Sequence, residues 1–215
     1  MKFWKGIFFD MDGVVVDSSS LWSVIIGSTR TRYGLDMEVL DRVSGYNLTA
    51  VEAISMILED MGIYSGDLLS KITGEIDRLY AARLGDLAAL EPDMERILAM
   101  LQSRGVPAVL VSNSSRTQVG LMLEHFGIEK YFCGIITSDD VTRGKPDPEP
   151  YLKALEMTGL RKDEVLVVED SRTGADAASG AGVDHILVVD SPHVQDDGII
   201  WRYGLYDFLD KYTRI

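Results

Sequence analysis

Short apolar runs punctuate this chain, each followed by polar residues: Gly6-Ile7-Phe8-Phe9, Val106-Pro107-Ala108-Val109-Leu110-Val111, Ile135-Ile136-Thr137, Val165-Leu166-Val167-Val168 and Ile186-Leu187-Val188-Val189. The runs are continuous rather than alternating, which predicts strands covered on both faces within a parallel sheet. Pro107 lies near the start of its run, where a missing N–H is best tolerated. Helical patterns fall between the runs. Asp93 stands as N-cap before Ile97, Leu98 and Leu101, and Gly105 ends that segment. Val119, Met122, Leu123 and Phe126 predict a second helix stopping at Gly127, and Pro148-Glu149-Pro150 opens a third that ends at Gly159. Alternating strand and helix predicts an α/β fold, a Rossmann-like parallel-sheet core with right-handed crossovers.

From about Leu21 to Leu87 the pattern changes to helical periodicity without a convincing strand. Thr49-Ala50-Val51-Glu52 reads as a capping box opening a helix with Ile54, Ile57, Leu58 and Met61 on one side. Leu68, Leu69, Ile72, Ile76 and Leu79 form a second amphipathic stripe. The expected division is a core of residues 1–17 and 88–215 with an inserted all-helical cap of residues 18–87. Trp201, Tyr203, Tyr206 and Phe208 predict a terminal helix docked on the core.

Composition narrows the classes of function. Of 215 residues, 21 are Lys or Arg and 34 are Asp or Glu, a formal charge of −13. That charge repels nucleic acid and anionic membrane surfaces at long range, so neither is an expected partner. It also repels phosphate, so an anion site must be locally positive, through a metal, a lysine or backbone N–H groups. No apolar run reaches membrane-spanning length, and the apolar N-terminal stretch is broken at once by Asp10 and Asp12, unlike a secretory signal. The single cysteine, Cys133, cannot form an internal disulfide and reads as a small buried hydrophobe. The expected setting is the cytoplasm.

The candidate chemistry sits where the apolar runs end. Asp10-Met11-Asp12-Gly13 places two carboxylates one residue apart at the carboxyl end of a buried strand, the edge where parallel sheets hold ligands. Gly13 predicts a tight turn that frees backbone N–H groups to face a ligand. A solvated acidic loop is the alternative for this segment alone. Glu169 and Asp170 repeat the arrangement at the end of a second apolar run, on the same edge of the sheet. Like charges about 4 Å apart cost roughly 4 kcal/mol per pair at an effective dielectric near 20, so such a cluster must protonate or bind a cation. An all-oxygen site with few protein ligands suits Mg2+, whereas His125, His185 and His193 lack zinc-ligand spacing. Ser112-Asn113-Ser114-Ser115 supplies hydroxyl, amide and helix-terminal N–H groups for an anion. Lys145, held between Gly144 and Pro146, adds a directed cation, against a default reading as surface lysine.

These four segments, in this order, resemble the four motifs of the haloacid dehalogenase superfamily of phosphohydrolases. Asp10-Met11-Asp12-Gly13 with Asp17-Ser18 is similar to the first motif, Ser112-Asn113 to the second, Gly144-Lys145-Pro146 to the third and Glu169-Asp170-Ser171 to the fourth. The helical insert is similar to the cap of the branch containing β-phosphoglucomutases and phosphoglycolate phosphatases. The resemblance implies that Asp10 is the nucleophile and forms an aspartyl-phosphate, and that Asp12 is the general acid and base. It implies Mg2+ held by Asp10, Asp12 through its carbonyl, Glu169 and Asp170, with Gly13, Ser112, Asn113 and Lys145 around the phosphoryl group. The expected partner is a small phosphorylated metabolite, a sugar phosphate or similar phosphomonoester, acted on by a monomer or weak homodimer.

Two departures shape that expectation. β-Phosphoglucomutases carry a histidine five residues beyond the position of Asp17, where this chain has Trp22, which favours hydrolysis over mutase chemistry. Dehalogenating members lack the second aspartate and the metal, so Asp12 with Glu169-Asp170 argues against dehalogenation. A non-catalytic phosphometabolite binder on the same scaffold has no need of both Asp10 and Asp12. On the cap, Tyr46 and Asn47 are candidate substrate contacts or a loop leading into a helix, and Trp22 and Arg42 are a platform and clamp or packing and surface charge. Pro92 is followed by Asp93 where family members often have glycine, a variation with no evident catalytic meaning.

Overall fold

Every residue of β1 (Gly6–Phe9) is buried, because its side chains feed two cores at once. Ile7 and Phe9 point into one apolar cluster and Phe8 into another on the opposite face of the sheet. Each such side chain contributes about 1.5–3 kcal/mol by leaving water. The structure, a computed structural model, describes residues 3–38, 48–190 and 198–213.

After β1 the chain turns tightly, with the Met11 carbonyl accepting from the backbone N–H groups of Val14, Val15 and Val16. It then forms β2 (Val16–Asp17), α1 (Ser19–Tyr33), α2 (Ala50–Asp60), α3 (Gly66–Leu87) and β3 (Ala89–Leu90). Strands β2 and β3 pair antiparallel, so the outgoing and returning chains lie side by side. The core resumes with α4 (Met94–Ser103), β4 (Ala108–Val111), α5 (Arg116–Phe126), β5 (Gly134–Ile136), α6 (Glu149–Thr158), β6 (Val165–Glu169), α7 (Arg172–Ala181), β7 (Asp184–Val189), β8 (Ile199–Trp201) and α8 (Leu205–Tyr212).

The main sheet is six-stranded and parallel throughout, in the order β5-β4-β1-β6-β7-β8. This is the Rossmann-like α/β core that the apolar runs predict. Strand order runs one way from β1 to β5 and the other way from β6 to β8, which makes the carboxyl end of β1 the switch point where such sheets hold ligands. Helices α6 and α7 cover one face with Tyr151, Ala154, Ala177 and Ala178. The other face joins α4, α5 and α8 in a cluster that continues into α1, α2 and α3 through Ile25, Ile57, Ile72 and Tyr80.

Local signals largely held. The Thr49–Glu52 capping box forms in both directions, and Ile54, Ile57 and Leu58 are buried beneath it. On α3 the buried side is Ile72, Ile76, Tyr80 and Leu84. Gly34, Gly127 and Gly159 terminate α1, α5 and α6 in the left-handed conformation. Other findings differ from the sequence reading. Strands β2, β3 and β8 were not anticipated; two- and three-residue strands carry too few side chains to show a period. Trp201 belongs to β8 rather than to the terminal helix, and Tyr203 is exposed, while Phe208 does dock, against Trp4 and Tyr212. Asp93 occupies the N-cap position of α4, but its side chain makes no capping hydrogen bond and its φ is +59°, the region that glycine adopts without cost. Cys133 is exposed, not buried, because it precedes the edge strand β5.

Candidate active site

The carboxyl ends of β1, β4 and β6 deliver the polar residues to one place. Asp10 follows β1 directly and its backbone N–H donates to the Val168 carbonyl at 3.0 Å, which continues the sheet register into the site. Lys145 Nζ donates to Asp10 Oδ1 at 2.6 Å, to Glu169 Oε1 at 2.6 Å and to the Val111 carbonyl at 2.8 Å. Lys145 and Glu169 are 3% and 0% exposed. Two carboxylates at that depth are tolerable only with a cation between them. Burial pulls the Lys145 ammonium down, but Asp10 and Glu169 outweigh it and hold the pKa above the ordinary lysine range. Lys145 is therefore no surface lysine.

The Asn113 amide holds the lysine in place. Its Nδ2 donates to the Lys145 carbonyl at 3.0 Å and its Oδ1 accepts from the Lys145 N–H at 2.9 Å. The side chain of Asn113 is thus used on the lysine backbone. Ser112 Oγ, nearly buried, accepts from the Ser114 N–H at 3.0 Å.

Asp12 faces a different set of donors. Its carboxylate accepts from Ser18 Oγ, from Trp22 Nε1 at 3.3 Å and from Ser114 Oγ at 3.2 Å. Burial raises the Asp12 pKa, and these three hydrogen bonds work against the rise. The Asp10 pKa is pushed well above the usual carboxylate range, first by burial and then by the Glu169 charge, with Lys145 opposing. The Trp22 ring packs 5.6 Å from that of Tyr80, in line with its packing alternative, while its indole N–H bond to Asp12 is a role the sequence did not indicate.

Asp10, Glu169 and Asp170 bring carboxylate oxygens within 4.8 Å of one another. Asp170 is raised to about 6, by burial and then by Glu169. An all-oxygen set of this kind fits a hard divalent cation such as Mg2+. The Asp12 side chain accepts from Ser18, Trp22 and Ser114 and is not among the three clustered carboxylates. Two glycines make the packing possible. A Cβ on Gly13, at φ +80°, would lie 2.0 Å from Asp170 Oδ2, and one on Gly174 would lie 1.8 Å from the Glu169 carboxylate.

Several contributors carried no usable sequence signal. Tyr151 Oη donates to Glu169 Oε1 at 2.7 Å from α6. Arg202 donates to the Gly13 carbonyl at 2.7 Å and pairs with Glu91 at 2.6 Å, joining the turn after β1 to the residue after β3. Ser18 and Ser114 lay inside the quoted motifs, but their target, Asp12, was not legible. Tyr46, Asn47 and Arg42 lie outside the described residues.

A cavity of about 820 Å³ opens above these groups, walled by Asp10, Asp12, Ser112, Asn113 and Asp170 below and by α1, α2 and α3 above. No helix among the described residues is long and apolar enough to cross a membrane.

Comparison with known proteins agrees with this arrangement. Residues 7–188 match the family model described as haloacid dehalogenase-like hydrolase. A phosphoglycolate phosphatase of Yersinia pestis is 31% identical over 183 residues, covering 83% of this chain and 78% of that protein. A phosphorylated carbohydrates phosphatase of Thermotoga maritima is 28% identical over 196 residues, covering 90% and 88%. A bifunctional riboflavin kinase/FMN phosphatase of Arabidopsis thaliana is 30% identical over 189 residues; the match covers 86% of this chain and 48% of that longer protein, so the chain spans about half of it. Among solved structures, CbbY from Rhodobacter sphaeroides in complex with phosphate has a TM-score of 0.76 at 21% identity, covering 93% of this chain and 95% of that one. β-Phosphoglucomutase from Clostridium difficile has a TM-score of 0.79 at 18% identity, covering 97% and 96%. Both share the fold. With the four motif segments gathered at one sheet edge and the family match spanning most of its length, the chain belongs to the haloacid dehalogenase-like hydrolases.

Proposed function

We propose that the protein is a Mg2+-dependent phosphatase of a small phosphorylated metabolite, with Asp10 as nucleophile. The observation that carries the reading is the pairing of two carboxylates in unlike surroundings: Asp10 on an ammonium, Asp12 on neutral donors. Lys145 favours the ionised form of Asp10 against the opposing effects of burial and Glu169, and a bound cation would add to it, as attack on phosphorus requires. Asp12, raised by burial and surrounded by hydroxyl and indole groups, suits a residue that must carry a proton.

In the first step Asp10 Oδ bonds to phosphorus as the bond to the leaving oxygen breaks, and Asp12 gives that oxygen its proton. In the second, Asp12 takes a proton from water, the water oxygen bonds to phosphorus, and the bond to Asp10 breaks to release phosphate. Lys145 and the Ser112 hydroxyl stabilise the charge spread over the phosphoryl oxygens; the Gly13 and Ser112 backbone N–H groups are already given to the Val16 and Ile136 carbonyls. Asp10, Glu169, Asp170 and the Asp12 main chain would hold Mg2+, which would supply positive charge against the phosphoryl group.

The proposed cap is residues 18–87, joined to the core through the β2–β3 pair. Hydrolysis is favoured over mutase chemistry by Trp22, whose indole occupies Asp12. The relatives' names support a phosphorylated small molecule as the partner; the reading extends to a monomer or weak homodimer in the cytoplasm. A phosphate-release screen over phosphorylated metabolites, with Mg2+ and with chelator, tests it. Release that depends on Mg2+ is expected; a protein that binds Mg2+ yet turns over no phosphomonoester sinks the reading.

A further inference from the structure

The floor of the cavity is occupied by the chemistry, and its roof bears on the substrate. Trp22, Ile25, Ile26 and Thr29 of α1 line it at i, i+3, i+4 and i+7, the spacing of one helix face. Ile54 and Ile57 of α2 and Ile76 of α3 continue the aliphatic surface. Ile26 and Val51 line it while 46% and 53% exposed, which leaves large apolar side chains in contact with water.

Four described roof residues carry polar side chains: Thr29, Thr49, Thr73 and Asp77. Three are already engaged. Thr49 is spent on its capping box with Glu52, the Thr73 hydroxyl donates to the Leu69 carbonyl at 3.0 Å, and Asp77 accepts from Gln118 Nε2 at 2.9 Å. Thr29 is the exception. Its residue is 2% exposed and its hydroxyl, which does not take the usual bond to the carbonyl one turn back, has no partner among the described residues, but the oxygen is enclosed by its neighbours and is not offered to the cavity. Charge is equally one-sided. No Lys or Arg is among the described residues lining the cavity, whereas Asp10, Asp12, Asp77, Asp139 and Asp170 are. Along the described face of α1, a second anionic group on the substrate would meet hydrocarbon, and a polyol would leave hydroxyls unpaired against isoleucine.

We propose, building on the phosphatase reading, that the organic part of the substrate is uncharged and largely apolar, an aryl or alkyl group that packs on the α1 face. The phosphoryl group sits over Asp10 and the leaving alcohol beside Asp12, so the carbon skeleton extends along the α1 face. This separates the substrate from small dianionic acids and from bisphosphates.

The test uses the full chain with Mg2+ and a series of ethyl, butyl and hexyl phosphates, whose alcohols leave with nearly equal ease, so differences in kcat/KM report binding. Phosphoglycolate and glucose 6-phosphate complete the panel. Each buried methylene is expected to raise kcat/KM by about two- to fourfold, with hexyl phosphate exceeding both polar esters. Ile26→Gln, at a position exposed enough to keep the fold, is expected to lower the hexyl-to-ethyl ratio by about fivefold or more. Calorimetric binding of ethylphosphonate and hexylphosphonate, which cannot be hydrolysed, separates this inference from the reading beneath it. Tighter hexylphosphonate binding without turnover of any ester supports the apolar chamber and removes the phosphatase. Turnover with a flat chain-length series, or with phosphoglycolate ahead of hexyl phosphate, overturns the chamber and leaves the phosphatase standing.

Discussion

Below the cavity, at the sheet edge, Lys145, Glu169 and Asp10 are buried charged groups that compensate one another within 2.6 Å. Above it, α1, α2 and α3 present isoleucines and almost no uncommitted polar group. The two regions bury their side chains for different reasons. The lower one gives up solvation of charges to hold two carboxylates among unlike partners, an ammonium on Asp10 and neutral donors on Asp12. The upper one is held by dispersion and the hydrophobic effect, which tolerate substitution of similar size. Chemistry is therefore expected to be intolerant of small changes below the cavity, and selectivity adjustable above it.

The largest break in this comparison is Asp10→Asn. Turnover should fall on the order of 10⁴-fold or more, while the melting temperature stays close to that of the parent, because a neutral isostere replaces one of several crowded carboxylates. Retained turnover, measured as phosphate release, would falsify Asp10 as nucleophile. Next is Lys145→Met, which leaves Asp10 and Glu169 buried with no counter-charge. Denaturant unfolding should show a loss of about 3–5 kcal/mol, and Mg2+ should recover part of it. A loss under 1 kcal/mol would mean that this pair behaves as a surface salt bridge.

Acidity sharpens the comparison more gently. The Asp170 carboxyl moves from its ordinary 3.8 to about 6 in the fold. The native state then binds more protons than the unfolded chain between about pH 4 and about 6, so this group's contribution to stability declines as pH rises through that window and levels off above it. A cation opposes the decline by favouring the ionised carboxylate. The gain in melting temperature from Mg2+ should therefore grow from pH 4.5 to pH 6 and then flatten. Equal gains at pH 4.5 and pH 7.5 would argue against Asp170 as a ligand. The smallest effect lies away from the cavity. Asp93→Gly relieves a left-handed backbone but loosens the unfolded chain, for a net change within about 1 kcal/mol. Unfolding curves that show a larger loss would mean that the Arg96 ion pair at 3.8 Å outweighs the backbone term.

How much was legible differs between the regions. The strand ends were readable because buried parallel strands appear as continuous apolar runs and the carboxylates follow them directly. Asp10, Asp12, Glu169 and Asp170 needed only that reasoning and the rule that parallel strands open on one edge. Tyr151 and Arg202 were not readable. A tyrosine on an ordinary helix and an arginine 189 residues from the Gly13 carbonyl it binds carry no local pattern. The preference at Asp93 was visible as an odd residue at a position often held by glycine, but its cause is a φ of +59°.

Local order along the chain determined the elements, their apolar faces and the four polar segments, since periodicity, capping and strand-end position are properties of neighbouring residues. Only the tertiary structure decided that the Asn113 amide serves the Lys145 backbone, that Trp22 serves Asp12, and that the described residues of the cavity roof offer mainly hydrocarbon. Those facts depend on which side chains remain unpaired once distant segments meet. Which side chain meets which, even 10 residues apart for Trp22 and Asp12 or 32 for Asn113 and Lys145, is set by packing geometry rather than by the local pattern.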